Sequence, residues 1–101
     1  MTTFVSLPDI AGANALVNLG AIATANSLPT RSRWVQIFKS ATSGVSRLGG
    51  AEVSATRGLP LGSSGYFFNP INGADITVFA DLNLMNIFAA SGDTIYVLIG
   101  G

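Results

Sequence analysis

Short apolar segments separated by turn-forming residues recur along the whole chain. The segments are about 5 to 8 residues long and are rich in Val, Ile, Thr and aromatic residues, which favours strands. Strands bounded by Gly, Pro and Asn at such short intervals are typical of all-β sandwiches and barrels. We therefore predict strands at residues 16–23, 33–40, 45–48, 59–61, 65–69, 75–79, 85–89 and 94–99.

Two turns can be assigned to hairpins from their residues. Asn72-Gly73 separates two apolar groups, and Asn-Gly accepts the positive φ angles of a tight turn. Ser91-Gly92-Asp93 separates the strands at residues 85–89 and 94–99, which predicts that these two strands are antiparallel neighbours. Residues 8–19 leave a choice open between one helical turn and an extended segment.

Several predicted strands are apolar on both faces. Successive residues of a strand point to opposite faces, yet in the strand at residues 33–40 neither face is polar, since Trp34 and Phe38 alternate with other apolar residues. Either loops cover the outer faces of these strands, or neighbouring subunits do. We favour neighbouring subunits, because the interfaces of obligate assemblies resemble a core cut in half. To the core we assign Trp34, Ile37, Ile87, Ile95 and Val97.

The composition strengthens the case for an assembly. Apolar residues make up 49% of the chain and charged residues only 10%, whereas ordinary domains carry roughly 25% charged residues. The net charge is zero, and no run of like charge indicates a nucleic-acid or membrane surface. The most apolar stretch, residues 15–25, is too short to span a bilayer, and the N-terminus does not resemble a secretory signal, so we expect synthesis and use in a cytoplasm.

The first residues are too apolar for a free tail. We predict an N-terminal arm at residues 1–14, followed by a single β-sandwich domain at residues 15–101. Phe4, Leu7 and Ile10 of the arm are expected to contact a neighbouring subunit rather than their own domain. Tyr66 and Phe68 are expected to extend this partner interface on one face of a sheet.

Candidate chemistry is scarce. The chain has no His and no Cys, which removes the commonest general base, the thiolate nucleophile and the favoured zinc ligands. A Ser–Lys arrangement through Lys39 is the remaining nucleophilic option, and Lys39 lies in a strand whose pattern is structural. We assign Asp81 and Asp93 to side-chain hydrogen bonds within turns. We therefore predict a protein that is not an enzyme and that has no catalytic, cofactor or metal site.

A series of strand and turn motifs follows Leu28-Pro29. A strand ends in Gly49-Gly50, a polar stretch leads to Gly-x-Pro-Leu at residues 58–61, and an aromatic strand follows at residues 65–68. Residues 84–88 read Leu-x-x-Ile-Phe, and residues 92–95 read Gly-Asp-Thr-Ile. Across about residues 28–99, this series resembles small β-sandwich proteins of tailed bacteriophages. The resemblance implies a head decoration, or cement, protein, and the chain departs from it in being more apolar and in its arm.

We therefore expect a non-enzymatic structural protein of a virus particle, assembled in the host cytoplasm. It would be an antiparallel, jelly-roll-like β-sandwich that binds the major capsid protein or another virion protein as a homo-oligomer, a dimer or trimer. A tail or baseplate position is the main alternative within this class. The alternative from another class is a carbohydrate-binding module, with an aromatic platform from Tyr66, Phe67 or Tyr96 and with polar neighbours Asn69, Asn72 and Asp75.

Overall fold

The computed structural model describes residues 4–42, 44–62, 66–68 and 80–100. This part of the chain is mostly β, and its sheets are antiparallel, as the strand pattern predicts. Its elements are β1 (Phe4–Ser6), β2 (Ile10–Ala11), β3 (Ala15–Asn18), helix α1 (Leu19–Ala25), β4 (Arg31–Ser32), β5 (Trp34–Lys39), β6 (Arg47–Gly49), β7 (Leu59–Pro60), β8 (Tyr66–Phe68), β9 (Ala80–Asp81), a 3₁₀ turn (Leu82–Leu84), β10 (Asn86–Ala89) and β11 (Thr94–Gly100).

The strands form two main sheets. Sheet A has the strand order β1-β11-β5-β8, and β2 also pairs with β11. Sheet B has the order β3-β10-β6-β7, and a short separate ribbon pairs β4 with β9. Because β11 pairs with β1, β2 and β5, it is the strand on which sheet A is built.

Buried side chains from both sheets belong to one hydrophobic core. In β5 and β11 alternate residues are buried, so that each strand has a core-facing and an outer face. The prediction of Ile37, Ile87, Ile95 and Val97 as core residues is confirmed. The assignment of Trp34 to the core was wrong, because its side chain is only half-buried and belongs to the outer face of β5.

A helix replaces part of the first predicted strand. Residues 15–18 are β3, but residues 19–25 form α1, whereas a strand was expected through residue 23. Asn18 caps the helix, since its side chain accepts a hydrogen bond of 2.9 Å from the Ala21 N–H. The helix is rich in Ala, the residue with the highest helix propensity, and it buries Leu19, Gly20 and Ala23. Residues 8–18 are not helical.

The turn at Ser91-Gly92-Asp93 does not close a hairpin, which corrects the second turn prediction. The strand before it, β10, belongs to sheet B, and the strand after it, β11, belongs to sheet A. Gly92 has a φ of 89°, and the Asp93 N–H donates to the Ala90 carbonyl at 3.0 Å, so the local turn is tight. The chain therefore crosses from one sheet to the other at this turn.

The predicted arm contributes strands to its own domain. β1 and β2 both pair with β11, and between them the Leu7 N–H donates to the Val97 carbonyl at 3.0 Å. Leu7 is 3% exposed and Ile10 is 6% exposed. These two residues were predicted to contact a partner, and they lie instead in the core of the same chain.

The predicted hairpin at Asn72-Gly73 and the predicted strand at residues 75–79 lie outside the described residues.

Candidate functional site

The outer face of sheet A carries aromatic residues in two patches. Gly100 of β11 is paired in register with Phe4 of β1 on one side and with Trp34 of β5 on the other. Four residues earlier in β11, Tyr96 is paired with Phe38 of β5. Residues directly opposite each other in an antiparallel pair share a face of the sheet. At roughly 3.3 Å per strand residue, the two patches are about 13 Å apart. They are therefore separate surfaces on one face.

The first patch is the Phe4–Trp34 pair. The ring centroids lie 5.5 Å apart with 53° between the ring planes, within the range of favourable aromatic contacts. Gly100 permits this contact, because a Cβ at residue 100 would overlap the Trp34 ring. Phe4 is nevertheless 65% exposed, and it belongs to β1, an edge strand. A large ring is thus held in a fixed position at the rim of the sheet.

The second patch is an open groove beside the Phe38–Tyr96 pair. Phe38 is 37% exposed and Tyr96 is 43% exposed. The groove has a volume of about 290 Å³, and the segment that leads from β1 to β2 forms part of its wall. The polar residues of its lining are Ser6, Asp9 and Gln36. The groove thus combines aromatic surface with polar side chains.

The core-facing side of the same end of sheet A holds a buried ion pair. Lys39 Nζ lies 3.3 Å from Asp93 Oδ1, and both side chains are almost fully buried. Lys39 also donates to the carbonyl oxygens of Ser40 at 3.0 Å and Thr42 at 2.8 Å. Asp93 accepts hydrogen bonds from Thr42 Oγ1 and, at 2.6 Å, from Ser46 Oγ. We call these residues the Asp93 cluster.

The Asp93 cluster keeps its carboxylate charged. Burial, the largest single influence, raises the pKa of Asp93. Hydrogen bonds from Ser46, Thr42 and Lys39, together with the positive charge of Lys39, outweigh burial and hold the pKa below its ordinary value. The Lys39 amine is directed at Asp93 and at backbone carbonyls, so the geometry is that of a structural ion pair rather than of a Ser–Lys nucleophile. It fastens the turn before β11 to the segments around β5 and β6.

The predicted interface residues have three different positions. Phe4 is exposed, as a contact residue should be, whereas Leu7 and Ile10 are buried in their own core. Tyr66 and Phe68 lie in β8, opposite Ile37 and Val35 in register, and their side chains lie outside the described part of the structure. Of these residues, Phe4 alone is shown as part of a surface.

Sequence reasoning missed Phe38, Gln36 and Asp9 as residues of one groove. The first two were visible as alternate residues of a strand without a polar face. Nothing in the sequence indicated that the segment containing Asp9 crosses β11 beside them.

Asp81 behaves as predicted, since its Oδ1 accepts a hydrogen bond from the Asn83 N–H at 3.0 Å within a turn. Asp93 does not, because its carboxylate pairs with Lys39 across the core.

No family model, curated protein or solved structure matches this chain. Among the described residues, no group of three or more acidic side chains is placed to hold a metal ion. No helix in the same part of the chain has the length and apolar character needed to cross a bilayer. The two aromatic patches of sheet A are the candidate functional surfaces, and they are assigned from their exposure and geometry.

Proposed function

We propose that this chain is a non-enzymatic structural protein of a virus particle, a decoration protein that clamps a capsid as a homo-oligomer. The observation that carries the proposal is the Phe4–Trp34 pair, in which an exposed ring is held in place on an edge strand. Scattered exposed hydrophobic residues are ordinary, but ordered aromatic residues are enriched where protein surfaces make contact. The pair is therefore a natural site for a neighbouring subunit.

A second copy of the chain is the neighbour that this patch favours. The outer residues of β1, β5 and β11 include no charged side chain, since Lys39 belongs to the core-facing set of β5. A two-fold interface brings the same surface of both copies together, so like charges on it would repel. Around the Phe4–Trp34 pair, the outer residues of these three strands carry no charge and so avoid this repulsion. The proposal thus includes a dimer or trimer built through the Phe4–Trp34 pair.

Sheet B supplies a different surface for the capsid. Leu16 of the edge strand β3 is 53% exposed and lies opposite the half-buried Phe88 in register. An oligomer that presents several such surfaces to a shell gains from multivalent binding. Because it binds the assembled shell and not the separate subunits, it stabilises the shell by mass action. The proposed partner is the major capsid protein or another virion protein.

We also propose that the two sheets form an open, jelly-roll-like β-sandwich. Ile37 and Val97 of sheet A lie in the same buried core as Leu48 and Ile87 of sheet B, which supports face-to-face packing. A rigid sandwich of this kind presents two outer faces, one for another copy and one for the shell. This matches the two surfaces described above.

The oligomer is tested by light scattering on the purified chain after size-exclusion chromatography. We expect a dimer or trimer for the wild type and a monomer for Phe4→Ser that is still folded by circular dichroism, with a lower melting temperature because the stabilisation from subunit association is lost. Leu84→Ser is the matched control, because Leu84 is 72% exposed on the 3₁₀ turn, away from sheet A. A wild-type chain that stays monomeric at high concentration would contradict the oligomeric clamp.

The position in the particle is tested by quantitative mass spectrometry on gradient-purified virions of the virus that encodes the chain. A decoration protein is expected in copy numbers comparable with those of the major capsid protein. A few copies per particle would indicate a tail or baseplate position instead. Absence from the particles would overturn the virion role itself.

A further inference from the structure

The groove beside the Phe38–Tyr96 pair has the chemistry of a small-ligand site. Its floor is the outer face of β5 and β11, and its volume of about 290 Å³ is near the lower end for small-molecule pockets. Such pockets combine apolar lining with a few polar groups that orient the ligand. The lining includes the apolar or aromatic Phe38, Tyr96 and Leu98 and the polar Ser6, Asp9 and Gln36.

The polar groups of the groove are available to a ligand. Within the described residues, the side chains of Ser6, Asp9 and Gln36 make no hydrogen bond or ion pair with the protein. Gln36 offers an amide donor and acceptor, Ser6 a hydroxyl group, and Asp9 a carboxylate that accepts hydrogen bonds. This set matches a ligand with several hydroxyl groups rather than an anion, which Asp9 would repel.

The two rings specify the remainder of the ligand. Phe38 and Tyr96 are directly opposite each other in register and partly exposed, so both rings are on the outer face of the sheet, where they line the groove. The face of an aromatic ring is electron-rich, and it attracts the weakly positive C–H groups on the apolar face of a sugar ring. We infer that the groove binds one neutral pyranose residue, with its C–H face on Phe38 and Tyr96 and its hydroxyl groups toward Asp9 and Gln36.

This site goes beyond the proposed structural role and does not depend on it. The groove and the Phe4–Trp34 pair are about 13 Å apart on the sheet. None of the groove residues belongs to the Phe4–Trp34 pair, so substitutions in the pair leave the sugar contacts in place. The two proposals are tested by different variants, so one can fail while the other stands.

Saturation-transfer difference NMR tests the site with methyl glucoside, methyl galactoside and N-acetylglucosamine at millimolar concentration. We expect at least one of these sugars to give a saturable signal on its ring C–H protons. Tyr96→Val substitutes another residue of high β propensity but removes the ring, and should weaken binding about tenfold. Asp9→Asn should also weaken binding, and glucuronic acid should bind more weakly than methyl glucoside.

Phe4→Val is the matched control, because it removes a ring from the same face of sheet A but outside the groove. It should leave sugar binding unchanged, even if it dissociates the oligomer. The inference is overturned if none of the three sugars gives a saturable signal, or if binding persists unchanged in both Tyr96→Val and Asp9→Asn. Circular dichroism confirms in each case that the variant is folded.

Discussion

Two adjacent residues of β5, Lys39 and Phe38, reverse the usual distribution of side chains between core and surface. The charged Lys39 is 6% exposed, whereas the aromatic Phe38 is 37% exposed. A shift of register by one residue would exchange their positions, but it would also bring Val35 and Ile37 out of the core. The remainder of the strand therefore fixes both residues where they are.

The difference between the two positions separates structural from functional roles. Lys39 is tolerated inside because Asp93 balances its charge and backbone carbonyls accept its hydrogen bonds. Phe38 is outside because Val35 and Ile37 take the core-facing positions of β5, and its exposure forgoes the stabilisation that burial of the ring would give. An apolar ring that folding leaves exposed, next to a second exposed ring, is better explained by a ligand or partner.

The largest loss of stability is expected for Asp93→Ala. This variant leaves the Lys39 charge buried without its partner, which should lower the free energy of unfolding by about 3–5 kcal/mol. Urea denaturation followed by circular dichroism measures the change. Asp9→Ala is the control, because Asp9 is exposed, and it should change stability by about 0.5 kcal/mol or less. Equal effects of the two variants would show that the Asp93 cluster does not hold the fold together.

Because of the ion pair, the free energy of unfolding should also depend on pH in the acid range. The pKa of Asp93 in the folded protein lies below its ordinary value of 3.8, so in this range the unfolded chain binds more protons. The contribution of Asp93 is therefore fully present above pH 3.8 and is lost as the pH falls through the folded-state pKa. Urea midpoints measured across this range should fall with pH in the wild type. Asp93→Asn should show a flatter profile, and an identical slope would contradict the assignment.

A smaller loss of stability is expected for Gly100→Ala, which adds a methyl group on the outer face of sheet A. The added methyl group overlaps the Trp34 ring, so the ring must move away from Phe4. Overpacking of this kind destabilises by about 1–3 kcal/mol. The chain has one Trp, so its fluorescence spectrum reports the displacement directly. Ser6→Ala, in the same sheet, should leave the spectrum unchanged.

The smallest effect on stability is expected for Phe38→Ala. Loss of a cross-strand pair on an exposed face should lower the free energy of unfolding by about 0.2–1 kcal/mol. The adjacent variant Ile37→Ala removes a fully buried side chain and should lower it by about 2–5 kcal/mol. Chemical denaturation of the two variants compares them directly. If Phe38→Ala is as damaging as Ile37→Ala, the ring is part of the core and its exposure has no functional meaning.

Alternation within single strands was the most predictable part of the fold. β5 and β11 lie within the predicted strands to about one residue, and Ile37, Ile95 and Val97 are in the core as expected. These residues depend on local alternation, which a sequence displays directly. The pattern misses the Ala-rich α1, because a short apolar segment does not distinguish a buried helix from a strand, although the capping Asn18 was a signal that could have revealed it.

Pairing between distant segments could not be predicted. The turn at residues 91–93 looks like a hairpin loop, but the burial of Asp93 with Lys39 and Ser46 depends on residues far away in sequence. The groove likewise requires Asp9 and Tyr96 to meet across a strand order that no local pattern specifies.

The place of β11 in sheet A has a consequence for how the chain reaches its native state. Phe4 pairs with Gly100, so β1 has no partner strand until residues 98–100 have been synthesised. Contacts of such long sequence separation slow folding, because a large loop must close before they form. During translation the nascent chain therefore exposes an apolar, unpaired strand, a state that invites chaperone capture or premature association with other nascent chains.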